Sequence, residues 1–327
     1  MHILVLGAAG MVGRKLTERL LRDGRLGNGD ITRMTLQDVV APATAKAGFP
    51  IDTVTGDFAV AGFAEKLVAD RPDVIFHLAA IVSGEAELDF DKGYRINLDG
   101  TRMLLDAVRL AGGGYKPRLV FTSSIAVFGA PFPDAIGDEF FQTPLLSYGT
   151  QKAIGELLLA DYTRRGFMDG IGIRLPTICI RPGLPNKAAS GFFSNILREP
   201  LAGKEVVLPV SEDVRHWHAT PRSAVGFLLH AATIDSAAVG ARRNLTMPGL
   251  SATVGEEIAA LKRVAGDKVA GRIKREPDPF IMGIVDGWPR NFDAKRALKL
   301  GFTTAEKTFD DIIKIHIEDE LGGKFVV

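Results

Sequence analysis

The sequence predicts an α/β fold in which short buried strands alternate with helices. Three observations predict it. The chain opens with an apolar run rich in branched residues, His2-Ile-Leu-Val-Leu6, which passes through a glycine-rich turn into an amphipathic stretch over residues 11–22. Later apolar runs, each ending in polar or small residues, repeat the strand signal. The length of 327 residues is ample for a large core and suits one such domain carrying a smaller lobe.

The first unit reads as strand, tight turn, helix, with glycines spaced GxxGxxG in Gly7-Ala-Ala-Gly10-Met-Val-Gly13. A strand that delivers glycines to a helix N-terminus makes an anion site, because unpaired NH groups and the helix dipole face an incoming pyrophosphate. Gly7 permits the turn, Gly10 lets phosphates approach the backbone, and Gly13 allows the helix to pack closely on the sheet. Such a turn also serves as a plain strand-to-helix connection, so the next run matters. Met34-Thr-Leu-Gln-Asp38 ends in a carboxylate that can accept hydrogen bonds from adenosine ribose hydroxyls. The same charge repels a ribose phosphate and no arginine follows it directly, so NAD is expected over NADP. As a strand-end turn residue Asp38 would have no such role. Thr53-Val-Thr-Gly-Asp57-Phe58 and Asp73-Val-Ile-Phe-His-Leu-Ala-Ala80 supply two further strands. Asp57 could meet the adenine amino group, and Ala79 and Ala80 would let backbone come close to the cofactor. Either segment also fits plain core strand and loop.

Residues 88–111 and 147–165 read as long helices, with Gly112-Gly-Gly114 as a flexible turn before the strand Arg118-Leu-Val-Phe-Thr-Ser-Ser124. The second helix carries Tyr148 and Lys152 as YxxxK. Residues four apart share a helix face, so the ammonium can lie beneath the phenol and favour its ionised form. A phenol ionises near pH ~10 when unperturbed and needs that help to act as a base near neutrality. Alone, the tetrad also fits a surface polar pair. Here it accompanies the glycine turn.

The net charge of +1 shows no bias toward nucleic acid or membrane. The single cysteine, Cys179, excludes an internal disulfide and gives no metal cluster. Its apolar neighbours place it in the core. Nor is Arg215-His-Trp-His218 a metal site, since its two histidines have no third ligand suitably spaced. No repeat or low-complexity tract is present. With no charged-then-apolar opening segment and no apolar run long enough for a bilayer, a cytoplasmic enzyme is expected.

In order along the chain stand the GxxGxxG, the acidic end of the second strand, Gly56-Asp57, His77-Leu-Ala-Ala80, Asn97-Leu-Asp-Gly-Thr101, Thr122-Ser-Ser124 before Val127-Phe-Gly129, YxxxK, and Arg181-Pro-Gly183. This set resembles the extended short-chain dehydrogenase/reductase family, which includes NAD-dependent epimerases and dehydratases. The resemblance implies a doubly wound parallel sheet, a Rossmann-type NAD domain over residues 1–180 to which 206–233 return. A smaller C-terminal α/β substrate lobe would comprise 181–205 and 234–327. It implies Ser124, Tyr148 and Lys152 as the catalytic trio: the Tyr148 phenolate removes a hydroxyl proton as hydride passes to the nicotinamide, Ser124 holds the reacting oxygen, and Lys152 also binds the nicotinamide ribose. The implied cofactor surface is Gly7, Gly10, Met11, Val12, Gly13, Asp38, Asp57, Phe58, Leu78, Ala79, Ala80, Asn97, Tyr148, Lys152 and Thr177. Family dehydratases carry an Asp-Glu pair beside the hydroxyl position. Ile125 and Ala126 stand here, which disfavours water elimination. The two long helices would pair across a two-fold axis in a homodimer.

Ser83 and the stretch Arg181-Pro-Gly-Leu-Pro-Asn-Lys-Ala-Ala-Ser-Gly-Phe-Phe193 resemble a subgroup acting on small sugar acids. The expected reaction is oxidation of a secondary hydroxyl of such an acid, with Ser83, Ser124, Tyr148 and a cation in contact with it. Arg181, Lys187, Arg215, His216 and His218 stand near the family's substrate positions, and Arg181 and Arg215 are the carboxylate candidates. Each fits a solvated or ion-paired side chain equally well. Two other functions remain open: a nucleotide-sugar epimerase using the same tyrosine and NAD, and a non-catalytic NAD-sensing protein, which would have no need of the trio.

Overall fold

The computed structural model describes residues 1–183 and 190–327. Apart from two pairs of two-residue strands, Arg25–Leu26 with Gly29–Asp30 and Ile136–Gly137 with Phe292–Asp293, its strands are β1 (His2–Leu6), β2 (Arg33–Asp38), β3 (Ile51–Thr55), β4 (Val74–His77), β5 (Arg118–Ser124), β6 (Asp169–Leu175), β7 (Thr177–Ile178), β8 (Val206–Leu208), β9 (Arg215–Ala219), β10 (Asn244–Thr246), β11 (Leu250–Thr253) and β12 (Ile273–Arg275). The helices that position the site are α1 (Met11–Asp23), α2 (Phe63–Val68), α3 (Thr101–Leu110), α4 (Ser147–Arg164), α5 (Gly191–Leu201), α6 (Pro221–Thr233), α7 (Val254–Ala265), α8 (Pro279–Asp286) and α9 (Phe309–Leu321).

Seven parallel strands form the main sheet in the order β10-β6-β5-β4-β1-β2-β3. This is the doubly wound arrangement, whose order reverses beside β1. Ile3, Leu4, Val5 and Leu6 are fully buried, as a strand covered on both faces requires. Burying such a side chain is worth roughly 1.5–3 kcal/mol. One sheet face packs Leu16 and Leu20 of α1 against Phe227, Leu228 and Ala231 of α6. The other is covered by α2, α3 and α4 through Leu67, Leu104, Val108 and Leu159.

The lobe has its own core, in which Phe193, Ile196 and Leu197 of α5 meet Leu261 of α7 and Ile312 and Ile313 of α9. A three-stranded sheet, β7-β9-β11, bridges it to the main body. The buried Glu306 carboxylate accepts from Thr220 N at 3.0 Å, from Thr220 Oγ1 at 2.6 Å and from Ser223 Oγ at 2.6 Å. It thereby ties the C-terminal segment to the positive end of α6.

Three expectations are corrected. Residues 234–327 do not all lie in the lobe, because Asn244, Leu245 and Thr246 pair with Gly172, Ile173 and Arg174 as the edge of the main sheet. Three residues are too few to show a strand's alternation. Residues 206–208, expected to return with the sheet, pair instead with β12 in the lobe. The helix expected over 88–111 begins only at Phe90 and is widened in its middle. Asp89 leaves helical geometry and caps it by accepting from Lys92 N, and the backbone then stays helical through a wide π-type turn over Tyr94–Gly100 into α3. The wide turn admits an extra residue and draws Asn97 inward. Asn97 Oδ1 accepts from Ile81 N at 2.9 Å, and its Nδ2 donates to Gln151 Oε1 at 2.8 Å and to Ile81 O at 3.2 Å.

Candidate active site

The glycine turn closes as its spacing requires. Gly7 has φ +84°, and a Cβ there would lie 2.7 Å from Ala79 N. At Gly13 a Cβ would lie 2.1 Å from Gly7 O, so the helix can approach this turn only without a side chain. Gly10 is the N-cap of α1 and no side chain caps the helix. The first-turn amides are therefore left for a ligand, the geometry a diphosphate needs. Asp38 ends β2, where its Oδ2 accepts from Ala9 N at 2.9 Å and its Oδ1 from Val39 N at 2.7 Å. The carboxylate is thus fixed beside the glycine turn. These residues fit a dinucleotide.

Further along the strand ends, Asp57 accepts from Ala59 N at 2.9 Å and pairs with Arg95 at 2.7 Å. Phe58 is buried and packs edge-on to His77, so its side chain belongs to the core. Asn97, with its amide engaged as above, supports the loop after β4 from behind.

A cavity of about 570 Å³ opens beyond the C-terminal ends of β1, β4, β5 and β6. Gly7, Gly10, Met11, Val12, Gly13, Leu78 and Ala80 line one end. Ser83, Ser124, Tyr148, Lys152, Thr177 and Arg181 line the rest. Ser124 ends β5, and its Oγ accepts from Ala126 N at 3.1 Å. Lys152 donates to Thr122 O at 2.7 Å, with its Nζ 5.7 Å from the centre of the Tyr148 ring. One turn further along α4, Glu156 is buried and accepts from Ser123 Oγ at 2.5 Å and from Arg174 Nε and Nη2 at 2.9 and 2.8 Å.

Burial dominates the titration of both groups. It pushes the Tyr148 phenol up to about 12, against the Arg181 guanidinium and a hydrogen bond with Ser124. It pulls Lys152 down to about 7, against the Glu156 carboxylate. Arg181 is thus a second positive group acting on the phenol, beside Lys152, whose Nζ lies under the same ring. Ionising Tyr148 near neutrality asks for about 7 kcal/mol at 1.36 kcal/mol per pKa unit.

Arg181 is partly buried in the cavity wall. Its Nη2 donates to Ser190 Oγ at 2.9 Å and its Nε to Ile178 O at 3.1 Å, and among the described residues no carboxylate pairs with it. A partly desolvated cation with no carboxylate partner among the described residues faces the cavity and favours an anionic ligand. Its neighbour Arg198 also lines the cavity but pairs with Glu199 at 2.8 Å. Arg215, the other carboxylate candidate, is absent from the lining and pairs with Glu256 at 3.3 Å. Alternation along β9 explains the difference, since neighbours on a strand point to opposite faces and it is His216 that enters. His218 is buried behind the wall. Lys187 lies outside the described residues. The sequence reading missed Leu145, Leu146 and the segment 283–289, which complete the walls. The adjacency of Leu145 and Leu146 to YxxxK is the one local signal.

The sequence profile of the NAD dependent epimerase/dehydratase family matches residues 3–226. D-erythronate dehydrogenase of Cupriavidus necator is 45% identical over 323 residues, covering 98% of each chain. The Haemophilus influenzae protein of that name is 40% identical over 321 residues, covering 98% of this chain and all of its own. A crystal structure described as the nucleoside-diphosphate-sugar epimerase from Agrobacterium tumefaciens superimposes with a TM-score of 0.96 at 68% identity, over 99% of this chain and 95% of that one.

Proposed function

We propose, from the premise that the chain belongs to the NAD dependent epimerase/dehydratase family, that it oxidises the C2 hydroxyl of D-erythronate to 2-dehydro-D-erythronate. It is an NAD-dependent oxidoreductase. The observation that carries the substrate class is Arg181, a partly buried guanidinium with no carboxylate partner among the described residues, which lines the cavity with Tyr148. A monoanionic sugar acid supplies the missing charge, and its hydroxyls find Ser83 and Ser124 along the walls. The two full-length relatives of that name support this reading.

NAD, when bound, supplies the hydride acceptor and a positive ring. Gly7, Gly10, Met11, Val12 and Gly13 would hold its diphosphate, Asp38 its adenosine ribose, and Lys152 its nicotinamide ribose. Tyr148 takes the hydroxyl proton at its phenolic oxygen, and Ser124 orients the reacting oxygen. Because burial holds the phenol high in the protein alone, Tyr148 becomes a base only when further positive charge enters the cavity. This couples proton removal to the loaded state.

The test is NADH formation from NAD and D-erythronate, with Tyr148→Phe beside the wild type. Turnover that falls by 10²-fold or more in the variant while NAD still binds is the expected result. Equal turnover in both would exclude Tyr148 as the base. Epimerisation of a nucleotide sugar is the second reading, favoured by the description of the 68% identical structure. Interconversion of a UDP-sugar without added NAD, and no reaction with any sugar acid, would select it.

The assembly expected is a homodimer through the helices of 88–111 and 147–165. Leu88 is 83%, Phe90 57% and Leu157 65% exposed there, an apolar face that a second subunit would cover. No helix among the described residues is long and apolar enough to cross a membrane. A cytoplasmic location is proposed.

A further inference from the structure

His216 stands between the cavity and the lobe. Its Nδ1 lies 2.8 Å from Pro289 O, and its Nε2 lies 2.7 Å from Thr177 Oγ1. A carbonyl oxygen can only accept, so Nδ1 carries the hydrogen. Burial holds the ring neutral, and Nε2 is therefore bare. The Thr177 hydroxyl must then donate to Nε2. Stacking on Phe193, with ring centres 5.1 Å apart and planes within 4°, keeps the ring in this orientation. With its hydrogen committed, Thr177 shows the cavity lone pairs alone.

We propose that His216 is a positioning residue that fixes Thr177 as an acceptor-only contact, and that this contact selects the carboxamide NH2 of the nicotinamide. A substrate hydroxyl can donate or accept, so a freely rotating threonine would serve it equally well. An amide NH2 can only donate, and a fixed acceptor distinguishes it from the carboxamide oxygen. A bound nicotinamide would thereby be oriented by Thr177 through the NH2 of its carboxamide. Pro289 belongs to the wall of the lobe, so the orientation of the ring depends on a contact made across both parts of the molecule. The inference rests on NAD as the cofactor and not on the identity of the acid.

The experiment is calorimetric titration, without substrate, of NADH and of reduced 3-acetylpyridine adenine dinucleotide, in which methyl replaces the NH2. The wild type should bind NADH about tenfold more tightly, the size of one net hydrogen bond. Thr177→Val should bring the ratio near one, and Thr177→Ser should keep it. His216→Asn, whose amide can still reach Pro289 but not Thr177, should lose the preference, whereas His216→Gln should restore it by accepting from Thr177. Each ratio compares two ligands on one preparation, so a reduced folded fraction cancels. A wild-type ratio of one, or an unchanged ratio in His216→Asn, overturns the inference. Failure of NADH to bind at all would remove it together with the NAD assignment.

Discussion

Lys152 Nζ donates to the carbonyl oxygen of Thr122 at 2.7 Å, so the ammonium is moored to the end of β5 rather than to the phenol one turn away. Its charge still faces the cavity. Lys152→Met keeps the apolar stem and removes the charge, and should weaken NAD binding about tenfold and slow turnover at least a hundredfold. Fluorescence titration and initial rates measure the two separately. Wild-type affinity in the variant would remove Lys152 from the cofactor site.

Asp38 is held by the backbone amides of Ala9, Val39 and Val40, which leaves its outer lone pairs for ribose hydroxyls. Hydrogen bonds to a charged acceptor are worth roughly 1.5–3 kcal/mol. Asp38→Ser should therefore raise the KM for NAD by about tenfold or more and improve NADP relative to it. Steady-state KM values for both cofactors decide the point, and an unchanged ratio would end the argument.

Arg181 has two assignable effects, and one variant separates them. Arg181→Met should raise the KM for a sugar acid by roughly 10–100-fold, the worth of a charge-assisted pair. Since Arg181 also lowers the Tyr148 phenol, its loss should move the midpoint for base ionisation to higher pH. A KM effect with an unmoved pH profile would leave only the binding role.

Acid should destabilise the protein through its buried imidazoles. His77, His216 and His218 are each lowered to about 3 by burial, against about 6.5 in the unfolded chain. Between those values the unfolded state binds more protons, so stability is fully present above pH 6.5 and falls as pH drops toward 3. The slope is at most about 1.4 kcal/mol per pH unit for each ring. Urea midpoints at pH 7 and pH 5 check this. Equal midpoints would contradict it.

The dimer proposed from exposed apolar residues makes its own prediction. Leu157→Glu places a charge on that face without entering the monomer core, and should convert a dimer to a monomer in sedimentation. A wild-type monomer would dismiss the interface outright.

The sheet was legible where a strand is buried on both faces: His2–Leu6 and Arg118–Ser124 coincide with β1 and β5 residue for residue. Periodicity found the helix in 88–111 but not its widening. The apolar pattern runs unbroken through 88–111, and nothing local announces that Asn97 will turn inward and widen the helix. In the cavity, motif residues could be read because glycine geometry and YxxxK spacing are local properties. Arg215 and His216 could not be ranked, because which neighbour on a short strand faces the ligand depends on how that strand is seated. The wall at 283–289 meets Leu145 only through the fold.

The placement of β10 also bears on how the protein is made. On a ribosome the N-terminal strands emerge first, and β6 reaches solvent with an open edge, while α1 covers its sheet face without α6 beside it. The face closes once residue 233 has been synthesised, and the edge only once residue 246 has been. An unpaired edge on a nascent sheet is a template for pairing with other chains. The late return of the polypeptide thus leaves a period of vulnerability to aggregation in the middle of translation, and slow elongation between β6 and β10 would lengthen it.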